Sequence, residues 1–215
     1  MYSAVTELLA QNLNQLPDVE AIVSPDYGWP RDSTLLEGVS AIVYYSGRAG
    51  DMLMEKYQAQ FDRLMRAGVG FTALHYATGA TPRNGARYMG YAGGWWNRPP
   101  GALNLDPTTL QLVKPGHPIL RGLEPRPITE EIYVNPQLSE KAEPLIQVPV
   151  GYKSEVVAWT LVRPSVAGAP SGRSFASTLG HFHDNWLHEP FRRLMQNGIL
   201  WTIHHEPLTA PGEAK

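Results

Sequence analysis

The chain has 215 residues, 43% of them apolar, which is enough for one substantial core and short for two independent ones. Its 18 lysines and arginines against 20 acids leave a formal charge of −2, with no basic run longer than Arg192-Arg193; this argues against nucleic acid or an anionic membrane as a partner. There is no cysteine, so disulfides, thiolate zinc sites and cysteine nucleophiles are all excluded. A small, neutral or weakly charged ligand is the expectation, and no nucleotide or flavin. No apolar run reaches the roughly 18 residues that span a bilayer, and no basic-then-apolar leader opens the chain, so a cytoplasmic protein is expected.

In chain order, residues 2–16 place Val5, Leu8, Leu9, Leu13 and Leu16 at near-helical spacing and stop at Pro17. "VEAIVSPD" and "VSAIVYYSG" are short apolar runs ended by Pro, Asp or Gly, the pattern of strands buried on both faces of a parallel sheet. The chain between them has room for a turn and a short helix. Asp51 is expected to cap one long helix, "DMLMEKYQAQFDRLMRAG", with a stripe of Leu53, Tyr57, Phe61, Leu64 and Met65 and a left-handed stop at Gly68. "VGFTALHYATG" follows as another buried strand. The first third therefore reads as the alternation of a doubly wound α/β sheet.

Gly, Pro and Trp crowd the middle of the chain, and "GYAGGWWNRPPGALNLDP" reads as a loop. "TLQLVK", "EIYVN" and "PLIQVPV" stand too close together for helical crossovers, so antiparallel strands are expected there. "VVAWTLVRP" and "GRSFASTLG" read as a hairpin across a Gly/Pro/Ser turn. A closing helix over residues 189–204 would turn Phe191, Leu194, Met195 and Ile199 to the sheet. The fold class expected is a mainly parallel, doubly wound sheet with antiparallel additions in the C-terminal half. One domain spans residues 1–207, and 208–215 is a frayed tail.

Chemistry concentrates in "TLGHFHDNWLHEP", residues 178–190, which holds His181, His183 and His188 out of seven histidines. His75 and His181 each end a predicted strand, the edge where α/β sheets bind ligands. Two of them on neighbouring strands would share a pocket. In "ITEEIYVN", strand alternation lets only one of Glu130 and Glu131 face that pocket. A His/His/Glu set suits a divalent ion, zinc first, although no H-E-x-x-H or tight ligand cluster marks the sequence. His181 is the residue expected at the site itself, with His183 supporting it or standing in as a ligand and His188 structural. Trp95 and Trp96 are either a wall for a sugar ring or a lid that buries its own aromatics.

"LHYATG", "HPILRGL", "EEIYVN", "VVAWT", "GRSFASTLGH" and "FRRLMQNGILWT" occur in an order and spacing that resembles the trehalose-utilisation (ThuA-like) family, over residues 2–207. That family's fold is similar to class I glutamine amidotransferases, and the cysteine elbow of those enzymes reads His75-Tyr76 here, which makes amidotransfer implausible. His181 matches the late histidine and Glu131 the inner acid before the tyrosine. Family members begin with a strand before the first helix, so the first strand is expected to be absent, leaving a gap or an exposed edge. A homo-oligomer is one way to cover such an edge.

The resemblance implies carbohydrate metabolism, in particular sugars or glycosides oxidised to 3-keto forms. On that reading the protein is an enzyme of cleavage, elimination or isomerisation. His181, His75 and Glu131 are the catalytic set; His75, His181, His183 and Glu131 are the candidate metal ligands; and Trp95, Trp96, Tyr76 and Tyr133 line the sugar. The rival is a non-catalytic carbohydrate-binding or regulatory protein on a degraded amidotransferase-like scaffold.

Overall fold

Val5, Leu9 and Leu13 recur once per helical turn along α1 (Tyr2–Leu13) and bury that stripe in the core. The structure is a computed structural model and describes residues 2–24, 26, 28–97, 102–164, 166 and 168–208. After α1, the apolar run at 19–24 forms no strand, contrary to its pattern. It finds no neighbouring strand to pair with, and the Asn14 side chain takes the place of a ladder, holding both the N–H and the carbonyl of Ala21. Asp32 then caps a single 3₁₀ turn by accepting from Thr34 N–H at 3.0 Å, and β1 (Ala41–Tyr45) pairs in parallel with β2 (Gly70–Leu74).

The helix expected from Asp51 is two helices, α2 (Asp51–Glu55) and α3 (Gln58–Arg66). At the break, Tyr57 stacks on Trp29 with ring centroids 5.5 Å apart, and Phe61 meets the same indole edge-on. A tertiary contact thus overrides a continuous helical pattern. Asp51 makes no cap either: it accepts from the Thr81 N–H and hydroxyl and from Asn84, tying α2 to α4 (Pro82–Ala92). Sequence reading assigned no helix at α4, although Pro82 in its first turn and the left-handed Gly93 after it are ordinary start and stop signals. The Gly-Trp-Trp stretch, expected as a loop, is a strand. β3 (Gly79–Ala80) and β4 (Gly94–Asn97) pair in parallel, and β4 buries both indoles.

β5 (Ala102–Asn104), β6 (Thr108–Leu112), β7 (Arg126–Ile128), β8 (Ile132–Val134), β9 (Gln137–Leu138), β10 (Glu143–Val150), β11 (Lys153–Val162) and β12 (Arg173–Ser177) complete the strands. The main sheet runs β1-β2-β12-β11-β10-β6-β7. It is mixed rather than mainly parallel: only the β1–β2 and β2–β12 pairs are parallel. The four remaining pairs are antiparallel. The cause is connection length, since β10 reaches β11 through Gly151-Tyr152 alone and a turn that short can only reverse the chain. α5 (His183–Leu187) and α6 (Glu189–Thr202) close the fold, the latter burying Phe191, Leu194, Met195 and Ile199 as expected.

Side-chain alternation divides the interior into two cores. Phe175 of β12 joins α1 and α6 on one face, while its neighbour Ala176 joins residues of α2, α3 and α4 on the other. β1 is an outer strand of the sheet. Beside it, between α1, residues 21–24 and the Val43–Tyr45 edge, lies a cavity of about 420 Å³. Of the predicted tail, Leu208 is pinned by Asn197 Oδ1 at 2.7 Å, and 209–215 lie outside the described residues. No helix among the described residues is long and apolar enough to cross a membrane.

Candidate functional site

β2 and β12 are neighbours, with Leu74 beside Ser177, so the segments leaving their carboxyl ends emerge together. His75 leaves β2 in the left-handed region, φ +54, and opens a 3₁₀ turn. A non-glycine residue held there is uncommon and clusters at functional sites. His181 leaves β12 after Gly180, and Glu131 arrives from the third side, directly before β8. The turn at the end of each strand thus delivers one side chain to a common point.

The His75 imidazole is buried, and its Nδ1 lies 3.1 Å from the Thr178 carbonyl oxygen. A carbonyl only accepts, so Nδ1 carries the ring proton and Nε2 presents a lone pair. That Nε2 is 3.2 Å from His181 Nδ1 and 3.4 Å from Glu131 Oε2, and the latter two atoms are 3.2 Å apart. Three donor atoms therefore form a nearly equilateral triangle. Bonds of about 2.0–2.1 Å to a tetrahedral ion put ligand atoms roughly 3.3–3.4 Å apart. The triangle matches one face of such a tetrahedron. His181, with 38% of its side chain exposed, is the side open to solvent.

Burial pushes His75 down to about 4, against the opposing pull of its Thr178 hydrogen bond, and so keeps the ring neutral at pH 7. Burial also raises Glu131, with Glu130 adding to the rise and His181 opposing it. Both shifts come first from burial, which penalises the charged form of each group. The Tyr133 hydroxyl lies 3.3 and 3.4 Å from the two His75 nitrogens, and its ring stacks on Trp96 with centroids 4.1 Å apart and planes 18° apart. Burial holds that phenol far above its usual range, hence protonated. Tyr76 is half-buried in the turn after His75.

Other predicted residues fall elsewhere. Trp95 points away from Trp96, as alternation along β4 requires, and packs over Gly85 in the opposite core with Tyr88 and Trp159. His183 is the exposed first residue of α5 and stands apart from the His75/Glu131/His181 group. His188 is exposed at the junction of α5 and α6, where its carbonyl accepts from Phe191 and Arg192 N–H. A residue not selected from sequence is Glu130, which is wholly buried and hydrogen-bonded to the backbone around His181. Alternation says that it opposes Glu131. Nothing local in the sequence says that it is buried.

The model of the ThuA family, described as trehalose utilisation, matches residues 4–202. Among solved structures, the chain is similar to a ThuA-like protein from Parabacteroides merdae at 16% identity and TM-score 0.68, over 98% of this chain and 88% of the other. It is also similar to a ThuA-like protein from Bacteroides uniformis at 14% identity and TM-score 0.70, over 95% and 85%. At that identity the likeness speaks for the fold alone. No curated protein matches the chain. With its family model covering nearly the whole length, the chain belongs to the ThuA, or trehalose utilisation, family, and with it to carbohydrate metabolism in the broad sense.

Proposed function

We propose that the protein is a metal-assisted enzyme that acts on sugars or glycosides oxidised to the 3-keto form, by elimination, cleavage or isomerisation next to the ketone. The observation that carries this reading is the triangle of His75 Nε2, His181 Nδ1 and Glu131 Oε2, with edges of 3.2–3.4 Å. Zinc is the first candidate for those donors, and a divalent ion there would supply Lewis-acid polarisation of a ligand carbonyl.

The chain's own groups match what the reaction needs. A ketone at C3 acidifies the proton at C2, and a base must take it. Glu131 gives one oxygen to the triangle and keeps the other to take that proton. His181 enters the triangle through Nδ1, so its Nε2–H is left to hydrogen-bond the departing oxygen at C1, and the proton which that oxygen gains is the one Glu131 has taken from C2. His75, fixed by Thr178, stays neutral and unprotonated at Nε2. The Trp96–Tyr133 stack, expected to line the sugar, is buried behind this group, with the Tyr133 hydroxyl 3.3 Å from His75 Nδ1.

The test is turnover of 3-keto-glucosides by protein purified without chelator, with metal content measured on the same sample. Turnover that chelation removes and zinc restores is expected. His181→Ala should lower it by roughly 100-fold or more while unfolding free energy changes by ~1 kcal/mol or less. Metal-free protein that turns over at the full rate refutes the metal role. Loss of stability in His181→Ala with activity kept per folded molecule places the chemistry elsewhere.

A further inference from the structure

Glu130 has a fully buried carboxylate that the His75/His181/Glu131 triangle does not use. Its Oε1 accepts from the backbone N–H of Glu131 at 2.9 Å, His181 at 3.0 Å and Phe182 at 3.2 Å. Its Oε2 accepts from Gly180 N–H at 3.0 Å and from Asn185 Nδ2 at 3.0 Å. Three successive amides, 180 to 182, thus converge on one anion, on a backbone turned by Gly180 at φ +122. An ionised carboxylate only accepts, and its roughly four lone-pair sites are shared among the five donors, whereas an amide side chain turns one of its two ends into a donor facing donors.

These five bonds do more than fill a cavity. They grip the backbone of His181 and of Glu131 at once, two of the three residues in the triangle, and those residues come from segments 50 positions apart. A turn following a strand is free to pivot about its last ladder bond. Here the Gly180 carbonyl accepts from the Tyr45 hydroxyl at 2.6 Å and Trp186 Nε1 at 3.2 Å, and the Glu130 carboxylate adds the tie to the segment that carries Glu131.

We infer that Glu130 is the positioning residue of the site: its carboxylate clamps the 180–182 turn to the start of β8 and so sets the spacing of His181 Nδ1 from Glu131 Oε2. The role in metal binding rests on the function proposed above, while the clamp itself is testable without metal. Groups that hold a ligand's orientation from behind typically contribute 10- to 100-fold to metal affinity.

The experiment titrates Co²⁺ alone into the parent, Glu130→Gln, Asn185→Ala and Glu131→Gln, reading visible absorption for affinity and coordination, with backbone amide exchange measured on the metal-free proteins. The parent should show the intense bands of four-coordinate cobalt, and Glu131→Gln should lose them. Glu130→Gln, still folded, should bind about 10- to 100-fold more weakly, with weaker bands, and its Gly180, His181 and Phe182 amides should exchange faster together. Asn185→Ala, which removes one of the five donors and the bond to the Thr129 carbonyl but leaves the carboxylate and its four backbone donors, should weaken binding less than Glu130→Gln does.

Parent-like affinity and spectrum in folded Glu130→Gln overturns the positioning role, and so does unchanged exchange at the three amides. A parent that binds no cobalt refutes the metal reading alone, and the amide exchange then decides the clamp. Should Glu130→Gln not fold, Glu130→Asp, which keeps the charge and shortens the reach by one methylene, carries the same comparison.

Discussion

His75 shows how much one side chain's surroundings decide. Its ring is 2% exposed and its Nδ1 is committed to Thr178, so protonation would bury a cation whose nearest carboxylate, Glu131 at 3.4 Å, is itself drawn toward the neutral form by burial. The folded state therefore holds His75 near 4, against 6.5 when unfolded. As the pH falls below 6.5 the unfolded chain takes up a proton that the folded chain refuses, and stability drops until the pH passes below about 4. The full effect is about 3 kcal/mol. Metal-free parent should lose most of that between pH 7 and 4.5, beyond what His75→Gln loses over the same range, with urea unfolding as the measurement. Parallel pH profiles for the two proteins would show that His75 is not buried as a neutral ring.

The elements around the site depend on a few backbone positions. Gly180 has φ +122, and a Cβ there would lie 3.2 Å from Trp186 Cζ2, between the strand that delivers His181 and the helix that follows. Gly180→Ala should cost about 1–3 kcal/mol from the strained backbone and the crowded indole, read from the denaturation midpoint. A loss of a few tenths would mean that the turn adapts freely and that the clamp on it is weak. This turn was half legible in the sequence. An apolar strand ending in Gly-His was visible in "SFASTLGH", as it was in "GFTALH" for His75, because a buried strand leaves a continuous apolar run and a glycine marks its end. The same local signals failed where a distant partner decides. The helix break at Tyr57 answers to Trp29, about thirty residues away in sequence, and the unpaired run at 19–24 lacks only a neighbour. Strand β4 hides its two indoles because Gly85 opens a face of α4 to one and Tyr133 receives the other. Glu130 is the extreme case, since three of the five groups bonded to it are amides some fifty positions downstream.

At the scale of the whole molecule, one unfilled space lies outside the His75/His181/Glu131 group. The cavity of about 420 Å³ lies between α1, the run at 21–24 and the outer edge of β1, with Leu9, Ala10, Val43 and Tyr45 among its walls. Its wall also carries Ser3, Thr6, Glu7 and Ser46, and the space leaves Leu9 and Val43 without close apolar partners on that side. Ala10 is the smallest apolar side chain that α1 contributes to the wall, on a helix where leucine costs little in propensity. Ala10→Leu adds three carbons to the cavity, and at about 0.8 kcal/mol per buried methylene the gain should approach ~2 kcal/mol, reduced by whatever rotamer freedom the leucine gives up. The expected result is a higher urea midpoint with an unchanged slope and an unchanged mass in solution. The opposite outcome is equally informative, because a leucine that destabilises the protein and shifts its mass would mean that a second polypeptide segment fills this space in solution. β1 has its outer edge there, and a strand edge beside open space is a surface on which another strand can add.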